Sequence, residues 1–285
     1  MNKVYACIDG LAATHAVIDW AAWSALRLGA PLELLHVLEH PPEMPHVGDY
    51  SGAIGLGAQE VLLQKLSALD EERSQLAQEA GRQMLQSAQE RASAAGVPQT
   101  EGRMRHGELA ETLQDIEPEA RLFVLGTHYR ASSPRRIHLD HHVERAIRAV
   151  KRPVLVATAE KFAAPERFVI ACDGSATARK TVEMVAASPL LRGLPAVLAM
   201  AGDDTPAARQ ALHDARQVLL DAGFSAETRL LPGEPEQALP ALLRSQGAAL
   251  LVMGAYGHSR IRHLIVGSTT TTLLRLSEVP VLVLR

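Results

Sequence analysis

Aromatic residues make up only 4% of this 285-residue chain, and it holds just two cysteines. Two thiols, Cys7 and Cys172, build no disulfide framework, so the fold must rest on packing. Both sit inside short hydrophobic runs, the setting of a buried, inert thiol, and a cytoplasmic, reducing location fits. With so few rings, the core has to come from Ala, Leu and Val. The apolar fraction of 47% suffices for a large one, and the length is comfortable for two domains. Charge of one sign is also lacking: the net value is −3, which argues against a general nucleic-acid binder. No stretch approaches eighteen uncharged apolar residues, so no membrane span is expected. The opening "MNKVYACIDG" runs directly into a strand-like segment, and nothing there reads as a signal peptide.

What the chain does have is a repeat. "KVYACIDGLAATHAVIDWA" from residue 3 resembles "RFVIACDGSATARKTVEMVA" from residue 167. "ARLFVLGTHYR" from 120 resembles "AALLVMGAYGH" from 248, and "VKRPVLVA" from 150 resembles "SEVPVLVL" from 277. Three blocks recurring in one order mark a duplicated domain. The small, polar "ATAEKFAAPE" between them reads as a linker, giving domains at 1–158 and 167–285 with 159–166 joining them.

Each half alternates short apolar runs with longer amphipathic ones. Strands are expected near 3–8, 32–38, 99–105, 121–126 and 153–157, then near 167–172, 195–201, 226–231, 248–253 and 280–284. Runs such as "ALLVM" and "PVLVL" are apolar throughout, as parallel strands covered on both faces require. The expected fold is therefore α/β, with a five-stranded parallel sheet flanked by helices in each half. Ligands of such sheets sit at the carboxyl ends of the strands, near the switch in strand order. Closing strands such as "PVLVL" would make pairing edges, so that the two halves pack as a pseudo-dimer.

The halves are unequal. Asp9 and Asp173 stand 164 positions apart, Pro153 and Pro280 only 127, so the first half carries about 37 more residues. The surplus is the Pro/Gly-rich "EHPPEMPHVGDYSGAIGLG" followed by a long polar helix over about 58–95. Its apolar stripe is Leu62, Leu66, Leu69, Leu76, Ala80, Met84 and Ala88. Such a stripe either packs on its own sheet or grips a partner.

Near the end stands "VMGAYGHSRIRHLIVGSTTTTLLR", residues 252–275. Gly254 closes a strand, Gly257 and Gly267 follow, and Ser268 and Thr269 open a helix. Glycine lets an anion approach the backbone, and free N–H groups at a helix start favour phosphate. Arg260, Arg262 and Arg275 add three positive charges with no acid in the stretch. The spacing is neither that of a Walker loop nor that of Gly-x-Gly-x-x-Gly. From these residues alone, an anion seat and a plain loop with a capped helix both remain open.

Gly254-x2-Gly257-x9-Gly267-Ser268 resembles the ATP-binding signature of the universal stress protein family. The opening "ACDGS" and the closing "VPVLVL" are similar too, and the likeness covers both halves as a tandem pair. The resemblance implies a flavodoxin-like or adenine-nucleotide α-hydrolase-like sheet in each half and a stress-response role as an ATP-dependent regulatory or interaction module. It implies ATP as ligand, with Mg²⁺ as a companion. Asp173 would meet the adenine with Ala171 nearby, and Met200 would give backbone contacts to the base. Met253 and Gly254 would line the ribose and phosphates, and Gly257, Gly267, Ser268 and Thr269 would hold the triphosphate. Asp173 could instead simply cap the next helix. A homodimer and a protein partner of unstated kind also follow from the family. Competing readings are a nucleotide-independent scaffold, a slow ATPase, and a carrier of another anionic or apolar ligand in the first half, whose residues 126–152 hold seven Lys/Arg against two acids.

The first half departs from the signature. Gly126 matches Gly254, but Tyr129 stands where Gly257 does, and Asp140 and His141 where Gly267 and Ser268 do. A carboxylate repels a triphosphate, so ATP is expected in the second half only, with side chains filling the corresponding hollow of the first. "HLDHH" places His138 and His142 four apart, a spacing zinc can use, yet no third ligand is evident and no metal site is assigned. Residues 254–275 contain no Asp or Glu to hold Mg²⁺ or act as base, so binding with slow turnover at most is expected.

Overall fold

The structure, a computed structural model, describes residues 2–39, 56–127, 141–247, 249–255 and 268–285. The first half runs β1 (Lys3–Cys7), α1 (Thr14–Leu28), β2 (Leu32–Leu38), α2 (Leu56–Ala94), β3 (Thr100–His106), α3 (Leu109–Ile116), β4 (Ala120–Gly126), α4 (His141–Ala149) and β5 (Val154–Ala157). The second runs β6 (Arg167–Cys172), α5 (Ala176–Ala187), β7 (Ala196–Ala201), α6 (Pro206–Asp221), β8 (Ala226–Leu231), α7 (Pro235–Ser245), β9 (Ala249–Gly254), α8 (Ser268–Leu276) and β10 (Val281–Leu284). Every expected strand is present within a residue or so of its expected bounds.

Among the described residues ten strands join one sheet in the order β3-β2-β1-β4-β5-β10-β9-β6-β7-β8. Within each half every pairing is parallel. The halves meet at the single antiparallel pair, β5 with β10, where Val281, Leu282 and Val283 face Val156, Leu155 and Val154. The closing strands are thus each other's partners, and the duplicated halves form the expected pseudo-dimer within one chain.

Helices cover both faces, which is why the central strands are apolar throughout. One core is built under α1, α2, α5 and α6 from residues such as Trp20, Leu34, Val182, Leu198 and Leu219. The other lies under α3, α4, α7 and α8 and includes Leu113, Phe123, Val143, Leu239 and Leu273. Both cores run across the β5–β10 seam. The outer strands β3 and β8 carry Glu101, Arg103 and Arg105, and Glu227 and Arg229, charges that discourage edge-to-edge pairing.

Further contacts lock the halves. Arg27 of α1 donates to the carbonyl oxygens of Leu190 and Arg192. Arg285 donates to those of Arg148 (3.0 Å) and Val150 (2.9 Å) at the end of α4. Phe162, in the segment read as a polar linker, sets its ring edge-on against Trp20 at 4.8 Å between centroids. The connecting segment is therefore anchored on the first half.

The stripe on α2 splits. Met84, Leu85, Ala88 and Ala92 pack against the sheet. Met84 also comes close to Gly10, and Gly81 lies against His36. Leu69 and Leu76, by contrast, are 52% and 64% exposed. The last four turns of the helix pack on the sheet, whereas Leu69 and Leu76 stand clear of it.

Candidate functional site

The strand order reverses direction between β6 and β9, the place where a doubly wound sheet opens a crevice at its carboxyl edge. Most of the described candidates gather there. Ala171 lies within β6 and Asp173 one residue past it, Met200 is at the end of β7, and Met253 and Gly254 end β9. Ser268 and Thr269 open α8, whose first amides have no partner within the helix. Gly257 and Gly267 lie outside the described residues, so their placement is not part of this geometry.

Asp173 is exposed, and its Oδ1 accepts a hydrogen bond from the Ser175 amide at 2.9 Å. The next residue, Gly174, has φ +74°, a conformation that favours glycine and explains the recurring Asp-Gly pair. The cap of α5 is Ser175, whose hydroxyl accepts from Ala178 N at 3.1 Å. Asp173 orders the turn rather than capping the helix, and its carboxylate stays at the crevice rim. Asp9 does the same in the first half, accepting from Leu11 N (2.8 Å) and from the Thr14 hydroxyl (3.0 Å).

Met200 sits differently from the expected backbone donor. Ala196 N and Gly202 N both donate across to the outer strand side, to Ser225 O and Leu231 O. Peptide groups alternate along a strand, so those of Met200 also face β8. The residue whose amide and carbonyl turn toward β6 and the crevice is Ala201. The Met200 side chain is buried beneath α5 and α6.

Gly254 has a second role that the sequence reading missed. A Cβ placed there would lie 2.7 Å from Thr177 Cγ2 and 2.8 Å from Thr181 Oγ1. Thr181 is buried and donates to Thr177 O at 2.9 Å. Glycine at 254 thus lets α5 close down on the end of β9. Gly126 meets Ala13 and Val17 of the first half in the same way. In α8, Thr271 Oγ1 is buried without a hydrogen-bond partner among the described residues, one hydroxyl of the threonine run left unexplained by helix packing.

Burial lifts both thiols, Cys172 up to about 12 with the Asp173 carboxylate adding to the effect, and Cys7 further, with Asp9 behind it. They sit one residue apart in the repeat and neither is poised as a nucleophile.

The equivalent edge of the first half holds a hollow of about 240 Å³. Cys7, Leu35, Val37, Leu109, Leu125 and Val143 form its apolar walls, with Asp9, Glu39 and His142 among its polar lining. His142 Nδ1 lies 3.4 Å from Glu39 Oε1. Tyr129 and Asp140, the side chains expected to fill this space, lie outside the described residues, as does His138. Among the described residues no group of three His, Cys, Asp or Glu side chains is placed to hold a metal.

A tandem pair of doubly wound α/β domains, each with a switch in its strand order, defines the class of the molecule. The model of the universal stress protein family matches residues 1–158 and again 165–285, and the chain belongs to that family. It is 33% identical to the universal stress protein Slr1230 of Synechocystis over the whole of both chains. It is 24% identical to the universal stress protein Rv1996 of Mycobacterium tuberculosis over 98% of this chain and 93% of that one. A crystal structure of a universal stress protein from Archaeoglobus fulgidus superposes with a TM-score of 0.72, at 17% identity, covering 100% of this chain and 98% of the other; that similarity concerns the fold. No helix among the described residues is long and apolar enough to cross a membrane.

Proposed function

We propose that residues 167–285 form an ATP-binding domain and that nucleotide occupancy there sets which cytoplasmic partner the chain engages, with residues 1–158 as a companion domain that does not take ATP. In this reading Asp173 accepts from the adenine amino group beside Ala171. The strand end at Met200 supplies the backbone contact through the neighbouring Ala201. Met253 and Gly254 line the ribose and phosphates. Gly257, Gly267, Ser268 and Thr269 receive the triphosphate, with Mg²⁺ as its companion. Homodimerisation would bring two such chains together.

The observation that carries the reading is convergence: a fixed carboxylate, a strand peptide turned toward β6 and a helix start built of hydroxyl residues stand at the carboxyl edge near the switch in strand order of the second half. A helix start holds phosphate through its amides, and no base or metal-holding carboxylate stands in 254–275, which favours binding over turnover. Thermal unfolding with and without ATP tests it. Ligand present at a hundred times its dissociation constant stabilises by about 2.7 kcal/mol. A clear rise in Tm is expected for the native chain and none for Gly267→Asp; an unmoved Tm in millimolar ATP rejects the proposal.

A further inference from the structure

The early part of α2 buries nothing. From Gln64 to Ala80 no residue is buried, and Leu69 and Leu76 are exposed. Most helical stability in proteins comes from packing an apolar face against something else. The apolar positions here are not scattered. Leu66, Leu69, Leu76 and Ala80 fall on a three-four repeat whose remaining place is Arg73, the seam pattern of a two-stranded coiled coil. Lys65 and Glu72 occupy one flank of that seam and Asp70 the other. Lys65, Asp70, Glu72 and Arg73 form no ion pair among the described residues, whereas Glu79, where packing is about to begin, is taken by Arg82 at 2.8 Å.

This seam complements itself in one direction. Two such helices lying parallel would stack Arg73 on Arg73 in the interface. Antiparallel, with Leu66 facing Leu69 of the partner subunit, the centre holds four leucines and the two arginines stand apart. The same register sets Lys65 opposite Glu72 of the partner subunit, twice over. It also puts the helix start at Leu56 level with residue 79 of the other helix. The overlap therefore ends where α2 settles on its own half at Gly81, Met84 and Leu85, and it runs roughly 35 Å at about 1.5 Å per residue.

We infer that two copies of the chain associate through the early part of α2, as an antiparallel helix pair. This rests on the homodimer of the preceding section and gives it a surface, one in which the nucleotide takes no part. A helix pair of this length buries less than a standard interface of about 1,600 Å², so the dimer is a weak one, of micromolar order.

Sedimentation velocity of the full-length chain without nucleotide, from about 1 to about 200 micromolar, tests this. A monomer–dimer equilibrium is expected. Leu69→Glu combined with Leu76→Glu should weaken it about tenfold or more, because each buries a carboxylate in the seam. Both leucines are exposed in the single chain, so the urea transition of this variant should match that of the native protein. Lys65→Glu and Glu72→Lys should each weaken association about threefold or more, and the two together should restore it. Glu72→Lys is the sharper exchange: it makes the helix less acidic, so general repulsion alone would give tighter association. A native chain that stays monomeric at about 200 micromolar, a leucine variant that dimerises as before, or a charge exchange that fails to restore association would each overturn the inference. With ATP absent throughout, such a failure leaves the nucleotide reading standing, and an unmoved Tm in ATP leaves this one standing.

Discussion

Replacing Gly254 by Ala tests whether this glycine is there for α5 rather than only for a ligand. Its φ lies outside the left-handed region, so alanine meets no backbone strain. In an ordinary strand the exchange would stabilise, since glycine costs roughly 0.5–1 kcal/mol there relative to alanine. Here the new methyl would stand 2.7 Å from Thr177 Cγ2 and 2.8 Å from Thr181 Oγ1, whereas comfortable carbon contacts begin near 3.5 Å. Thr181 cannot swing aside without breaking its bond to Thr177 O. The helix must retreat, and such overpacking costs about 1–3 kcal/mol. The net sign therefore reverses, to a loss of about 1–2 kcal/mol. Urea unfolding without nucleotide reads it directly. In a Thr177→Ser, Thr181→Ala background, where both crowding atoms are gone, the same Gly254→Ala exchange should cost about 1 kcal/mol less. A neutral or stabilising Gly254→Ala, or an equal cost in both backgrounds, refutes the packing argument.

Glu33 is 1% exposed and is met by Lys3 at 2.8 Å and by Arg103, so Glu33→Ala strands two cations and should cost about 2–3 kcal/mol in urea unfolding. Lys3 and Arg103 keep their second partners, Glu101 and Glu119, which holds the loss below that of an isolated buried pair. With its thiol pushed up to about 12, Cys172 is mostly unionised at pH 8, and a thiol-disulfide reagent should label it orders of magnitude more slowly in the folded chain than in guanidinium; raising the pH should speed labelling tenfold per unit. Phe162→Ala removes an aromatic contact of the connecting segment and should cost about 3 kcal/mol or less, read from unfolding, with Trp20 fluorescence altered in the native state.

The architecture was legible because its signals were strong and local. Duplicated blocks, apolar five-residue runs and Asp-Gly turns place all ten strands to within a residue or so. What sequence could not reveal depends on direction. Met200 and Ala201 look equally eligible in a string, and only the alternation of peptide groups against β8 separates them. Gly254 was readable as a backbone approach, but its neighbours Thr177 and Thr181 are more than seventy positions away and no spacing points to them. The α2 stripe is continuous by periodicity, yet only its later part meets the sheet, and Leu69 and Leu76 stay exposed. Glu33 and His36 inside the apolar "LELLHVL" were a signal available at the start. One proved to be the centre of an ion cluster. The other donates from Nδ1 to Ile8 O at 2.9 Å beside the hollow.

The antiparallel seam of β5 and β10 has a bearing on stoichiometry. Two separate subunits meeting through such strands could exchange, forming like pairs as readily as unlike ones. Fusion into one polypeptide removes that freedom. The two halves arrive in a fixed one-to-one ratio, side by side on a common sheet, and a change in the abundance of one can never outrun the other.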